Sequence, residues 1–174
     1  MKMATNKKPR KPYVRKPVNL MSYMEVQDRM RLLTHHDDTR NKLITLKIRN
    51  HDAISNLRIG CSTGEDIKNL IRAVNMSEAL MLFDIGAEYK KEHAKAKEAV
   101  KNICSRAFDR HKFILTAREL EDINLFMEIH DAQLEVCTLQ EFNNACEVVN
   151  KSIRTGKSEK LEIYRNDNKT AETR

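Results

Sequence analysis

The chain of 174 residues reads as an all-α protein: an antiparallel bundle of five to six helices behind a disordered basic N-terminal arm. Three observations carry that expectation. All three prolines, Pro9, Pro12 and Pro17, fall near the start, so the body lacks the residue that most disrupts a helix. Apolar residues recur at three- and four-residue steps through most of that body, the period of one helix face. Strings beginning at Thr63, Thr116 and Thr138 place an acid three residues after a capping threonine, a signal for a helix start.

Residues 1–19 have no helical periodicity. Lys8-Pro9, Lys11-Pro12 and Lys16-Pro17 bias each residue before proline toward extended or polyproline backbone. Such a segment buries too little apolar surface to offset its ordering entropy, so it is expected to be disordered until something binds it.

Residues 20–33 turn helical, with Leu20, Tyr23, Met24, Val26, Met30 and Leu33 on the repeating positions. Met21, Met24 and Met30 read as core first and as an adaptable partner surface second. Residues 34–39 are a polar connector or one solvated turn. Residues 40–59 offer Leu43, Leu46, Ile54 and Leu57 to one side and stop at Gly60. Ile44, Leu46 and Ile48 also alternate as a strand would. Helix is favoured, because a strand without a partner has no ladder.

Thr63 opens the next helix, which carries Ile67, Leu70, Ile71, Val74, Leu80, Met81 and Phe83. Gly86 interrupts the pattern. Residues 87–108 follow with Tyr89, Ala96, Ala99, Val100, Ile103 and Ala107 as an apolar stripe, and 109–115 form a turn. The helix over 117–137 is expected to bury Leu120, Ile123, Met127 and Leu134. That over 139–154 is expected to bury Phe142, Ala145, Cys146, Val149 and Ile153, and to stop at Gly156. The domain plan is therefore an arm at 1–19, a helical domain at 20–156 and a polar tail at 157–174.

Charge divides along the same lines. The first 19 residues hold seven Lys or Arg and no acid. Residues 20–150 hold 18 basic and 21 acidic residues, and 151–174 hold seven basic and four acidic. The net +7 therefore comes from the two ends, around a slightly acidic body. That arrangement argues against an enzyme groove lined with cations. It points to a cationic arm on a globular domain.

Several function classes have no sequence support. No segment approaches the roughly 18 apolar residues needed to span a bilayer, and no apolar signal region follows the charged start. A cytoplasmic protein without membrane attachment is expected. Phosphate-loop, dinucleotide and nucleophile-elbow patterns are absent, and four glycines are too few to build such loops. Cys61, Cys104, Cys137 and Cys146 form no CxxC pair, so structural thiols are expected and zinc is not. No cofactor is implied.

The one constellation with metal character is His35-His36-Asp37-Asp38. Phosphohydrolases of the HD type use His and His-Asp pairs to hold divalent metals, and His36-Asp37, His51-Asp52 and His130-Asp131 are such dipeptides. Recurrence three times at this composition marks them as ordinary, so a solvated connector is the first reading. His130 lies in an apolar helix stretch and reads as a buried histidine, with Asn124 and Asp131 as its expected partners. Lys90, Lys91, Lys95, Lys97 and Lys101 share a helix with Glu88, Glu92 and Glu98 and read as a solvated face before a contact surface.

The arm is the stronger candidate. Lys7, Lys8, Arg10, Lys11, Arg15 and Lys16 are suited to phosphates, and Tyr13 is the one aromatic that can stack on a base. No basic recognition helix stands out, so the expected contact is non-specific.

At Lys11-Pro12-Tyr13-Val14-Arg15-Lys16-Pro17-Val18, Asn75-Met76-Ser77-Glu78-Ala79-Leu80 and His130-Asp131-Ala132-Gln133-Leu134, the chain resembles small uncharacterised helical proteins of phages and prophages of Gram-negative bacteria. The resemblance covers most of the body. It implies a phage-associated, cytoplasmic setting and carries over no catalytic residue.

The expectation is thus a non-enzymatic accessory or regulatory protein whose arm binds nucleic acid or a nucleoprotein. Its bundle would associate with a protein partner or a second copy. The alternatives are a protein-binding inhibitor or adaptor, such as a phage anti-defence protein, and an HD-type metal phosphohydrolase.

Overall fold

Six α-helices form among the described residues, which in this computed structural model are 20–110, 113 and 115–155. They are α1 (Leu20–Arg29), α2 (Asp37–Ile59), α3 (Gly64–Met81), α4 (Lys90–Arg110), α5 (Ala117–Val136) and α6 (Leu139–Thr155). Short 3₁₀ turns at Leu33–His35 and Ala87–Tyr89 lead into α2 and α4. The arm at 1–19, the stop at Gly156 and the tail at 157–174 lie outside the described residues.

The helix ends follow local chemistry. At Thr63, Thr116 and Thr138 the hydroxyl accepts from the backbone N–H three residues on, while Asp66, Glu119 and Glu141 accept from the threonine N–H at 2.7, 2.9 and 2.8 Å. Each box satisfies two donors that a helix start otherwise leaves unpaired, and a cap of this kind is worth about 1 kcal/mol. Gly60 closes α2 with a left-handed φ of 73° and gives its N–H to the Asn56 and Leu57 carbonyls. The strand-like alternation of Ile44, Leu46 and Ile48 lies wholly inside α2.

Sequential helices pack as neighbours from α2 to α5, and α5 closes the ring against α2. Two side-chain contacts fix the last pairing. Lys47 Nζ lies 2.8 Å from Glu135, and His51 Nε2 lies 2.9 Å from Asp131 Oδ2. Four residues forward on one helix match four back on the other, so α2 and α5 run antiparallel. The result is a four-helix bundle, with α6 laid against α3.

Two apolar clusters fill the bundle. One joins Ile54, Leu57, Leu70, Ile103, Phe126 and Met127, and the other joins Leu33, Leu43, Leu80, Leu134, Cys137 and Ala145. The buried polar residues Asn50, Ser77, His93, His130 and Gln133 fall in sequence between or beside residues of the two clusters on α2, α3, α4 and α5. His93, Phe126 and His130 form a ring column, with centroids 5.8 and 5.9 Å apart.

Several expected burials do not occur. Val26 and Met30 of the first helical segment are 53% and 60% exposed, because α1 has no broad contact with the bundle. Tyr89 sits in the 3₁₀ turn rather than the stripe of α4, and is 43% exposed. Ile153 lies near the end of α6 and is half exposed. The segment 20–33 is also not one helix: it ends at Arg29, and a 3₁₀ turn takes Leu33 into the core.

Candidate functional site

The arm residues Lys7, Lys8, Arg10, Lys11, Tyr13, Arg15 and Lys16 lie outside the described residues. Within the body, the His35-His36-Asp37-Asp38 string is a helix entry. His36 occupies the N-cap position of α2, and its carbonyl accepts from the Thr39 hydroxyl at 3.0 Å. The same hydroxyl is 3.0 Å from the Leu33 carbonyl, which fixes the turn. Asp37 and Asp38 are exposed in the first turn, where negative charge suits the helix dipole. His36 Nδ1 stands 3.8 Å from Asp28.

The other His-Asp pairs point elsewhere. Asp131 faces His51 on α2, whereas His130 turns inward and is 1% exposed. Asn124 is exposed and does not serve His130, whose Nδ1 has no hydrogen-bond partner among the described residues. Burial pushes the His130 imidazole down to about 4, so it is neutral at ordinary pH. His93 is likewise buried and donates through Nε2 to the Val74 carbonyl at 3.0 Å. Among the described residues, no three His, Cys, Asp or Glu side chains gather in a set that could hold a metal ion.

The thiols divide by position. Cys104 and Cys137 are buried, and burial raises both to about 11. Cys146 is half-buried and raised for the same reason. Cys61 departs from the expected structural role: it follows Gly60 in an interhelix turn and is exposed.

The body does hold an open concavity. Leu33 N donates to the Cys137 carbonyl at 2.9 Å, and Leu139 N donates to the Arg31 carbonyl at 3.1 Å. These bonds form an isolated antiparallel bridge between Leu32 and Thr138, pinning the approach to α2 against the α5–α6 corner. Between α2 and the first turns of α6 lies a groove of about 520 Å³. Its floor is Leu33, Leu43, Leu46, Leu139 and Phe142, spaced three apart within each helix so that each pair shares a side.

Lys42 and Arg49 line this groove, are exposed, and pair with no acid among the described residues. Seven positions separate them, two helical turns or about 10 Å along the axis. On the other flank of α2, Arg40 and Lys47 border a second hollow with Ile44 and Glu135. Between Asp38 and Asp52 there are four cations and no acid. Averaging charge over the whole body hides this local run, although it was legible in the sequence.

The lysines of α4 are less available as a group. Lys97 reaches Glu78 on α3 at 3.1 Å, while Lys90, Lys91 and Lys95 are exposed. No helix among the described residues is long and apolar enough to cross a membrane. No protein-family model matches the chain, and comparisons with curated proteins and with solved structures find no match.

Proposed function

We propose that this is a non-enzymatic accessory or regulatory protein, of a phage-associated kind, that attaches to nucleic acid or a nucleoprotein through its basic arm. One observation carries the reading: seven cations without an acid stand at one end of a chain whose 20–150 segment has more acids than bases. Several cations of the body have an acidic neighbour. Arg106 pairs with Glu119, Arg72 and Lys68 with Glu65, and Lys47 with Glu135. The arm is the chain's densest acid-free run of cations, so attraction to phosphates is assigned mainly to Lys7, Lys8, Arg10, Lys11, Arg15 and Lys16, with Tyr13 as a stacking platform.

A mobility-shift titration over salt concentration tests the reading. Each engaged phosphate contributes about −0.9 to the slope of log affinity against log salt on duplex DNA, so seven contacts give at most about −6. Deleting residues 2–17 should flatten that slope. An unchanged slope would defeat the proposal.

The groove beside α2 supports a second reading, a protein-binding inhibitor or adaptor in which the arm is incidental. That reading expects loss of activity on altering the groove and tolerance of arm deletion.

A further inference from the structure

We infer that the α2–α6 groove docks an amphipathic helix of a partner protein, seated by its apolar face and held by acidic residues against Lys42 and Arg49. The inference goes beyond the arm's proposed task and does not depend on it. Leu46, Leu139 and Phe142 are only half-buried, and Leu33 and Leu43 close the floor beneath them. An aliphatic floor with one aromatic edge suits leucine-like side chains. A helix presents those at positions i, i+3 or i+4 and i+7, the pattern read by helix-binding grooves.

The rim selects the charge. Lys42 and Arg49 stand two turns apart on one side of α2, so carboxylates about two turns apart on the incoming helix can meet both. No acid lines this groove, and the charged residues that do, Lys42 and Arg49, are both positive. Two cations above a mainly aliphatic floor do not track a phosphate backbone, and the groove's one aromatic, Phe142, is half-buried. Nucleic acid is therefore the poorer occupant.

The test uses the full-length chain and a labelled helical peptide of 14 residues, in which leucines at i, i+3 and i+7 are bordered by glutamates. Its controls are a scrambled isomer of identical composition and a single-stranded oligonucleotide. The scrambled isomer registers any general attraction of acid to the basic arm.

The ordered peptide should bind roughly tenfold or more tightly than its isomer. It should also shift the amide resonances of Leu43, Leu46, Leu139 and Phe142. The exposed double change Lys42→Glu/Arg49→Glu should erase that preference, and a peptide with lysine for glutamate should regain it on the variant.

Equal binding of both isomers would overturn the inference. So would groove shifts produced by the oligonucleotide and not by the peptide, or self-association of the free chain through these residues. A chain with six of the seven arm cations, Lys7, Lys8, Arg10, Lys11, Arg15 and Lys16, changed to serine should keep its preference for the ordered peptide. The arm reading and the groove reading therefore fail separately.

Discussion

Gln133 lies so close to Gly86 that a β-carbon at position 86 would stand 2.8 Å from its side-chain nitrogen. The approach has a cause: Gln133 reaches from α5 to donate to the Ile85 carbonyl at 2.7 Å, and also lies 3.4 Å from the Ser77 carbonyl. It thereby ties the α3–α4 connection to the buried side of α5. Gly86 has a φ of 74°, a left-handed conformation that a side chain disfavours.

We predict that Gly86→Ala destabilises the fold by about 2–4 kcal/mol, combining the left-handed cost with displacement of a bonded glutamine. Gly60→Ala is the control. It shares the positive φ but its new methyl meets nothing within 4 Å, so the loss should be about 1 kcal/mol. Urea unfolding of the two variants measures the difference, and equal losses would show that Gln133 yields freely.

His130 should make stability depend on pH. Burial lowers its folded value from 6.5 to about 4, so the unfolded chain takes up a proton more readily than the folded one. The neutral-histidine contribution is complete above pH 6.5 and is lost as pH falls toward 4. The full span corresponds to about 3 kcal/mol, of which about 2 kcal/mol is gone by pH 5. Unfolding curves at pH 7 and 5 test this for wild type and His130→Phe. A His130 ring that titrates by NMR near 6.5 in the folded protein would contradict the prediction.

Glu119 combines two tasks that the sequence shows only singly. Its carboxylate caps Thr116 and also receives the Arg106 guanidinium at 2.8 and 2.6 Å. Burial pushes its acidity toward the neutral form, but Arg106 and the Thr116 bonds outweigh that and hold it below the ordinary value of 4.5. Its folded value is depressed, so this stabilisation is present above pH 4.5 and disappears as acid protonates the folded carboxylate. Glu119→Ala should cost about 2–4 kcal/mol at pH 7, with a smaller penalty in acid. Chemical denaturation across pH 7 to 3 reads that convergence.

Thiol labelling should report the burial pattern. A maleimide at pH 7 is expected to modify exposed Cys61 first, whereas Cys104 and Cys137 react only after unfolding. Mass mapping of the labelled native protein gives the order. Early modification of Cys104 would mean that the larger core cluster opens readily.

The helix starts at Thr63, Thr116 and Thr138, the stop at Gly60 and the break at Gly86 were all legible in the chain, because each is an exchange between residues three or four apart. The site was less legible. The four cations between Asp38 and Asp52 could be counted, but the apolar floor that makes two of them a rim comes partly from Leu139 and Phe142, about a hundred residues later. The partners expected for His130 failed for a related reason. Asp131 is adjacent in sequence, yet helix geometry turns it toward His51 on α2 while His130 faces Phe126 and the interior.

Sequence by itself determined that this chain is helical, where most helices begin, and how its charge is divided, since those properties are local or additive. Only the tertiary structure decided which apolar stripes are covered. Val26, Met30 and Ile153 carry the same periodic signal as core residues but remain exposed, because burial requires a second surface. The Leu32–Thr138 bridge, the placement of α6 on α3 and the groove beside α2 arise from that meeting of distant surfaces.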